Sequence, residues 1–136
     1  MRIAVGTDTV NSVSESIVAH LRAGGHDVLD VGRGAPWPDV GRRVGEAVAG
    51  GDADVGIACC WTGTGVSIAA NKVRGVRAAL CTDAETARGA RAWNDANVLA
   101  LGLRLTSAAV AEEIVDAFLA GGPDGTETAN IASLPA

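Results

Sequence analysis

The stretch ACCWTGTGVSIAANK, residues 58–72, places a thiol directly before a glycine-rich loop. Cys60 ends an apolar run, and Gly63 and Gly65 follow at a spacing typical of a tight turn between a strand and a helix. Backbone N–H groups in such a turn can point toward an anion or a developing oxyanion. A thiolate beside them can act as a base or a nucleophile. Free cysteines are more often small buried hydrophobic residues, and composition alone favours that interpretation.

Other known site types do not match this part of the chain. The loop has neither the GxxxxGK[ST] nor the GxGxxG pattern of nucleotide-binding turns. Cys59 should point to the opposite face of the strand from Cys60, and Cys81 is expected to be structural. Three cysteines without paired spacing predict no disulfide framework, and two histidines without a CxxC motif predict no structural zinc site.

The elements around the loop alternate between strands and helices. Strands are predicted at Ile3–Gly6, Asp27–Val31, Ala53–Cys60, Val76–Cys81 and Asn97–Gly102. Helices are predicted at Val13–Ala23, 38–48, Ser67–Asn71, Asp83–Ala92 and Ser107–Leu119, with Gly32–Pro38 as a loop. The alternation predicts an α/β fold with a five-stranded, parallel, doubly wound sheet. We expect residues 1–122 to form a single domain and residues 123–136 a C-terminal tail.

Ligands of such sheets bind beyond the carboxyl ends of the strands. Four segments are predicted to lie there, at Thr7–Ser12, Gly32–Trp37, Trp61–Ser67 and around Trp93–Asn94. The site is therefore expected to form where these four segments meet.

Composition and charge restrict the class of partner. The 136 residues are 48% hydrophobic and 20% charged, which is typical of one globular domain. A net charge of −5 argues against nucleic acid, although a few local donors can still hold a small anion. The chain shows no signal-peptide pattern and no apolar run of membrane-spanning length, so we expect a soluble cytoplasmic protein with no membrane partner.

The segment GIACCWTGTGVSIAANKVRGVRAAL resembles the signature of the ribose-5-phosphate isomerase B and galactose-6-phosphate isomerase family. VGTD near the start, IVAHL in the first helix and the later WNDANVLALGLR extend the resemblance, in the same order, over residues 1–122. The resemblance implies a Rossmann-like three-layer α/β/α sandwich. It also implies a homodimer or homotetramer with active sites at the subunit interface, and a tail that packs on a neighbouring subunit. The implied reaction is aldose–ketose isomerisation of a carbohydrate through a cis-enediol(ate), with no metal and no cofactor.

The resemblance also implies roles for individual residues. Cys60 matches the residue that moves a proton between C1 and C2, and Thr62 matches the hydroxyl that helps to pass a proton between the oxygens. Asp8 matches a ligand of a substrate hydroxyl, Asn94 a ligand near the reacting oxygens, and Arg104 a basic residue that contributes to phosphate binding. The hole that stabilises the enediolate matches the backbone amides of Gly63, Thr64, Gly65, Val66 and Ser67.

Four features depart from the family pattern. Thr9 stands where the family usually has a histidine that contacts the phosphate, and Trp93 stands where it usually has the histidine that opens the furanose ring. Trp61 replaces a glycine, and residues 126–136 lack the usual arginines and lysines. We interpret Trp61 and Trp93 as pocket-lining residues that contact substrate together with Thr9. The third tryptophan, Trp37, either lines the pocket or packs at the dimer interface.

Three hypotheses follow from the retained and the altered residues. The first is an isomerase whose substrate is not ribose 5-phosphate. That substrate is either already open-chain, such as a tetrose phosphate, or opens unaided, and it is held weakly by its phosphate or carries none. The second is a catalytically impaired or non-catalytic subunit that functions only with an unlike partner. The third is a related enolisation, such as epimerisation of an unusual carbohydrate, which nothing in the sequence separates from the first.

Overall fold

The computed structural model describes residues 1–136, which form one sheet covered by helices. The strands are β1 Arg2–Thr7, β2 Asp27–Arg33, β3 Val55–Cys60, β4 Ala78–Leu80 and β5 Val98–Gly102. The helices are α1 Ser12–Ala23, α2 Trp37–Ala49, α3 Thr64–Asn71, α4 Ala84–Asn94, α5 Ala108–Ala120 and α6 Thr128–Ala132. All strand pairs are parallel, in the order β2-β1-β3-β5-β4, so the predicted α/β fold with a five-stranded sheet is confirmed.

Alternating side chains divide the core into two layers, one on each face of the sheet. Ile57 and Cys59 of β3 pack in the cluster under α1, α4 and α5, whereas Ala58 and Cys60 pack in the cluster under α2 and α3. Successive residues of a strand point to opposite faces, which is why both clusters draw on the same strands. Helices on both faces give the three-layer sandwich and explain why β3 is buried along its whole length.

Local side-chain chemistry begins α1, α2 and α4 within one residue of the predicted starts. Asn11 caps α1 in a capping box with Ser14, since the Asn11 Oδ1 accepts the Ser14 N–H at 3.0 Å and the Ser14 Oγ accepts the Asn11 N–H at 2.9 Å. Asp83, the first residue of the predicted helix, is the N-cap of α4 and accepts the Thr86 N–H at 2.7 Å. Pro38 lies in the first turn of α2, where its missing N–H has no helical partner to lose.

Several boundaries differ from the sequence-based ones. The predicted loop at Gly32–Pro38 shrinks to residues 34–36, because β2 continues to Arg33 and α2 begins at Trp37. Helix α3 begins at Thr64, three residues earlier than predicted, since Gly63 turns the chain with a φ of +78°. The result is that most of the glycine loop lies in the first turn of α3.

The edge strand β4 is half as long as the predicted Val76–Cys81. The Asn71 side chain lies along its outer side, where Nδ2 donates to the Ala78 carbonyl at 2.9 Å and Oδ1 accepts the Ala78 N–H at 2.8 Å. These two bonds satisfy backbone groups that would otherwise be exposed at a sheet edge.

The C-terminal tail contacts its own chain. Arg91 of α4 donates to the Gly121 carbonyl at 2.8 Å, and the Asp124 N–H donates to the Ala92 carbonyl at 3.1 Å. Helix α6 contacts α4. The tail is thus attached to the end of α4, and its packing on a neighbouring subunit stays a prediction. No helix of the chain combines the length and apolar character needed to cross a membrane.

Candidate active site

The strand order reverses between β1 and β3, and the ends of these two strands form the centre of the candidate site. From β1 the chain continues outward to β2, whereas β3 lies on the other side of β1. In open α/β sheets this reversal leaves a crevice at the carboxyl edge, where ligands bind. Asp8 follows β1 and its N–H donates to the Cys59 carbonyl at 3.1 Å, so Asp8 lies beside the end of β3 that carries Cys60.

Cys60 is the last residue of β3, and its sulfur is buried against the loop that follows. The Gly63 N–H donates to the Cys60 Sγ at 3.2 Å. No such donor reaches the other two thiols. Burial raises the pKa of the Cys59 thiol to about 12, and burial followed by the nearby Asp83 raises the pKa of the Cys81 thiol to about 11. Cys59 and Cys81 are therefore protonated at neutral pH, as expected of structural cysteines.

The loop after Cys60 presents hydroxyls and free amides. The hydroxyls of Thr62 and Thr64 are 2.8 Å apart, and both residues are exposed. Residues in the first turn of a helix have no carbonyl partner within it, which leaves the amides of Thr64 and Gly65 available to a ligand.

Two members of the predicted oxyanion hole are restricted by the helix. The Ser67 N–H donates to the Gly63 carbonyl at 3.2 Å, so this amide is already occupied. Val66 is fully buried in the core under α2 and α3, backbone included, so its amide does not face a ligand at the surface. Fewer amides of the predicted oxyanion hole at Gly63–Ser67 therefore face outward than the resemblance implies.

The sequence predicts that all three tryptophans lie in loops, but in the structure only Trp61 does. Trp37 is the first residue of α2, and its indole lies on Gly65, where a Cβ would be 2.8 Å from the Trp37 Cδ2. Trp61 lies in the bend after β3 and is 54% exposed. Trp93 lies in the last turn of α4, and the prediction of a loop is wrong for it and for Trp37. Only Trp37 and Trp61 belong to the carboxyl edge.

Asp8 and Thr9 form a small polar unit after β1. The Thr9 Oγ1 donates to the Asp8 Oδ1 at 2.9 Å, and the Thr7 Oγ1 donates to the Thr9 carbonyl at 2.6 Å. Thr9, which replaces the expected histidine, thus orients the Asp8 carboxylate and adds no positive charge.

Arg104 lies after β5 in contact with the residue that follows Cys60. The backbone N–H of Arg104 donates to the Trp61 carbonyl at 2.9 Å. The Arg104 guanidinium is exposed and takes part in no ion pair. A surface depression is lined by Trp61, Thr62 and Arg104 together with Thr82 and Thr106. The last two threonines are absent from the predicted site. The only signal for them is that each closely follows a strand end, Thr82 after β4 and Thr106 after β5.

Trp93 and Asn94 lie at the opposite edge of the sheet from Cys60. Helix α4 begins near the end of β4 and runs back, so Asn94 precedes β5 and lines a depression with Arg77 and Ala78. The length of β5 separates this region from the carboxyl edge by about 13 Å. The prediction that Trp93 and Asn94 lie at the carboxyl edge of their own sheet is therefore wrong, because both lie at its amino edge.

The chain has no group of three or more His, Cys, Asp or Glu side chains arranged to hold a metal ion. The two histidines are far from the glycine loop in sequence and pair elsewhere. The His20 Nε2 lies 2.7 Å from the Asp116 Oδ1, and the His26 Nδ1 lies 3.1 Å from the N-terminal amine. Both histidines line one depression together with Asp116, and this depression contains none of Cys60, Thr62 and Asp8.

Comparison with known proteins assigns this arrangement to one family. Residues 3–133 match the family described as ribose/galactose isomerase. Galactose-6-phosphate isomerase subunit LacB of Clostridium acetobutylicum is 42% identical over 88% of this chain and 72% of its own length. Ribose-5-phosphate isomerase B of Escherichia coli is 43% identical over 91% of this chain and 87% of its own length. D-erythrulose-4-phosphate isomerase of Pectobacterium atrosepticum is 38% identical, covering 88% of this chain and 82% of its own length.

The fold gives the same answer. The structure of Clostridium thermocellum ribose-5-phosphate isomerase B superimposes with a TM-score of 0.92 at 40% identity, over 97% of this chain and 93% of that one. The chain belongs to the ribose/galactose isomerase family. Both the family and the class of enzyme predicted from the sequence, an aldose–ketose isomerase, are confirmed.

Proposed function

We propose that this chain isomerises a short, open-chain sugar phosphate through a cis-enediol(ate). The observation that carries the proposal is the Cys60 sulfur, which ends a buried strand and accepts the Gly63 N–H at 3.2 Å. A sulfur base therefore lies beside the free amides of the first turn of α3. Enolisation needs these two features together, a base near the carbon and fixed dipoles where the oxyanion forms.

The reaction moves one proton between two carbons and one between two oxygens. The Cys60 thiolate removes the proton from C2 of the aldose, and the electron pair of that bond forms the C1=C2 double bond of the enediolate. The thiol then returns a proton to C1, which yields the ketose. The Thr62 hydroxyl, in contact with that of Thr64, transfers the second proton between the oxygens on C1 and C2. Substrate and product are isomers, so no co-reactant is consumed.

Residues on both sides of Cys60 are proposed to hold the substrate. The Asp8 carboxylate, oriented by Thr9, accepts a hydrogen bond from a substrate hydroxyl. The unpaired Arg104 guanidinium offers a bidentate partner to the phosphate, and it lies in the depression that Thr62 also lines. One arginine provides less positive charge than the histidine and basic tail that the family usually adds, which agrees with weaker phosphate binding.

A four-carbon phosphate fits the altered residues best. Trp93 occupies the position of the ring-opening histidine, and an indole cannot deliver a proton to a ring oxygen. A tetrose 4-phosphate has its O4 esterified and cannot close a furanose ring, so it needs no such step. Trp61 adds a large, 54% exposed side chain directly after Cys60 where the family has glycine, and this added bulk favours a short substrate. One relative, at 38% identity, carries the name D-erythrulose-4-phosphate isomerase.

The site is proposed to be completed by a second copy of the chain. Asn94 lies at the amino edge of its own sheet, so it reaches the reacting oxygens only if another copy presents its α4 end to the carboxyl edge. A homodimer with two equivalent sites satisfies this requirement, since an isologous pairing supplies both halves twice. A further pairing into a tetramer and the cytoplasmic location stay predictions from the sequence.

The test is solvent isotope exchange with the purified chain alone. The protein is incubated in D2O with erythrulose 4-phosphate, ribose 5-phosphate or free erythrulose, and deuterium at C1 and C2 is followed by NMR. We expect deuterium incorporation and conversion to be fastest with erythrulose 4-phosphate. Cys60→Ala should abolish both, and Cys59→Ala, one residue earlier on the opposite face, should retain them.

Exchange with none of these substrates would contradict the proposal and favour a subunit that functions only with an unlike partner. Exchange that is faster with ribose 5-phosphate would leave the chemistry standing and overturn the substrate assignment. Exchange that is faster with free erythrulose would show that Arg104 is not a phosphate ligand.

A further inference from the structure

Gly102 ends β5 directly beside Cys60, and it is in unusually close contact with the loop that follows Cys60. Cys60 and Gly102 are register partners in the parallel pair of β3 and β5. A Cβ added at Gly102 would lie 2.6 Å from the Thr62 carbonyl oxygen, 2.8 Å from the Thr62 carbonyl carbon and 3.4 Å from the Gly63 nitrogen. All three atoms belong to one peptide group.

That peptide group carries the donor of the candidate site. Its N–H, from Gly63, is the one that donates to the Cys60 Sγ at 3.2 Å. The same contact is tight from the other side, since a Cβ at Gly63 would lie 2.8 Å from the Gly102 nitrogen and 2.9 Å from the Leu101 carbonyl carbon. Two glycines therefore allow the loop and the end of β5 to pack backbone against backbone.

Gly102 and Gly63 are needed for different reasons. Gly63 has a φ of +78°, which disfavours any residue with a side chain. Gly102 has no positive φ, so its backbone conformation is open to other residues. What Gly102 provides is space, and an alanine there tests the contact alone.

We propose that Gly102 is a positioning residue for the isomerisation, and the proposal rests on the function proposed above. By having no side chain, Gly102 lets the Thr62–Gly63 peptide approach β5 and fixes the Gly63 N–H against the Cys60 sulfur. An alanine must push this peptide away by several tenths of an ångström, because the contact is with backbone atoms that cannot rotate aside. The displacement carries the Thr62 hydroxyl with it and lengthens the bond to sulfur.

The experiment compares Gly102→Ala with Gly56→Ala. Gly56 lies at the other end of β3, where the three atoms nearest an added Cβ belong to the side chains of Val44, Val48 and Val98. Gly102→Ala should lower kcat by about 10- to 100-fold with little change in KM, because misplaced catalytic groups affect the transition state more than binding. Gly56→Ala should lower the melting temperature and leave kcat per folded molecule unchanged.

A second readout follows the hydrogen bond itself. The NMR shift of the Gly63 amide proton should move on Cys60→Ala, which removes the acceptor. It should move similarly on Gly102→Ala, and the double variant should add nothing further. Gly56→Ala should leave it unchanged. This readout needs no activity, so it tests the positioning role even if the isomerase proposal fails.

An unchanged Gly63 shift together with an unchanged kcat in folded Gly102→Ala would overturn the inference. If Gly102→Ala does not fold, Leu80→Ala takes its place, because Leu80 Cδ1 would lie 2.5 Å from a Cβ at Gly63 and packs on the same glycine. Its half-buried side chain makes Leu80→Ala the milder change. We expect a several-fold lower kcat and a displaced Gly63 shift, and an unchanged pair of values would equally overturn the proposal.

Discussion

The two edges of the sheet differ in how firmly they hold their functional residues. At the carboxyl edge, Cys60 is buried, its sulfur has a fixed donor in Gly63, and Gly102 packs on that donor. At the amino edge, Trp93 and Asn94 are exposed, and the Trp93 ring rests on Gly89 of its own helix. Under the function proposed above, Cys60, Thr62 and the amides of α3 act within one chain, whereas the proposed contact of Asn94 with the substrate oxygens needs a second copy.

The largest expected effect comes from removing the base at the carboxyl edge. Cys60→Ala should lower the rate of isomerisation by about a thousandfold, since general base catalysis contributes roughly that much. Cys59→Ala removes a thiol from the opposite face of the same strand and should keep activity within about twofold, with a loss of about 1 kcal/mol in the free energy of unfolding. Deuterium exchange and urea denaturation measure the two effects. Equal activity loss in both variants would show that the strand, and not the Cys60 thiol, matters.

The next largest effect is expected for Asn94→Ala, and complementation with Cys60→Ala chains tests whether the two edges meet across a subunit interface. Asn94→Ala alone should reduce activity by about a hundredfold, because a partner of the reacting oxygens is lost. When Cys60→Ala and Asn94→Ala chains are mixed and allowed to exchange subunits, about a quarter of the sites regain both residues. Activity should recover accordingly. A mixture that stays inactive, although native mass spectrometry detects the heterodimer, would place the whole site within one chain.

A smaller effect should follow from restoring a proton donor at the amino edge. Trp93→His supplies an imidazole that can protonate a ring oxygen, so kcat/KM for ribose 5-phosphate should rise by about tenfold. The same value for erythrulose 4-phosphate should change much less, because that substrate is already open. Trp93→Phe keeps an aromatic ring without the donor and serves as the control. A parallel rise for both substrates, or in Trp93→Phe, would point to pocket size instead of ring opening.

The smallest expected effect is a loss of stability at alkaline pH caused by Cys59, which lies on the face of β3 opposite to Cys60. Burial raises the pKa of Cys59 from 9.0 to about 12, so above about pH 9 the unfolded chain loses a proton that the folded chain retains. The free energy of unfolding should therefore fall as the pH rises through this interval, by about 1 kcal/mol near pH 10. The chain has no tyrosine and one lysine, but burial also raises the pKa of Cys81, so Cys81 adds to the slope and the comparison with Cys59→Ala separates the two thiols. Urea denaturation at about pH 8 and about pH 10 measures the slope, which should be shallower in Cys59→Ala; an equal slope would assign it to another group.

The fold and the central loop were predictable because they depend on local patterns. Alternation along β3 correctly separated Cys59 from Cys60 onto opposite faces, and Asp83 caps α4 as its residue type suggests. The length of β4 was not predictable, because an apolar run does not reveal which residues find a pairing partner. Val76 and Cys81 are buried and apolar, yet they lie outside the strand.

The position of Asn94 was misjudged for a topological reason. In a sheet of parallel strands, a segment between a helix and the next strand lies at the amino edge, whatever its chemistry. The resemblance to the family associates Asn94 with Cys60, and connectivity separates them within one chain. The family role of Asn94 and the connectivity of this chain are compatible under the proposed homodimer, in which a second copy presents its Asn94 to Cys60. The close approach of Gly102 to Thr62 was equally hidden, because spacing along the sequence does not show which backbones touch.

The Asn71 amide beside β4 limits how copies of this protein can join. A side-chain amide has the same donor and acceptor as a peptide group, and here it occupies the place that a neighbouring chain's backbone would take. With β4 only three residues long, little of that edge is left to recruit another strand. Growth of the sheet from one molecule into the next is discouraged on the β4 side, which leaves β2 as the open edge. The two halves of the proposed site lie on loops and helix ends, so a contact between copies that joins them does not need the β4 edge.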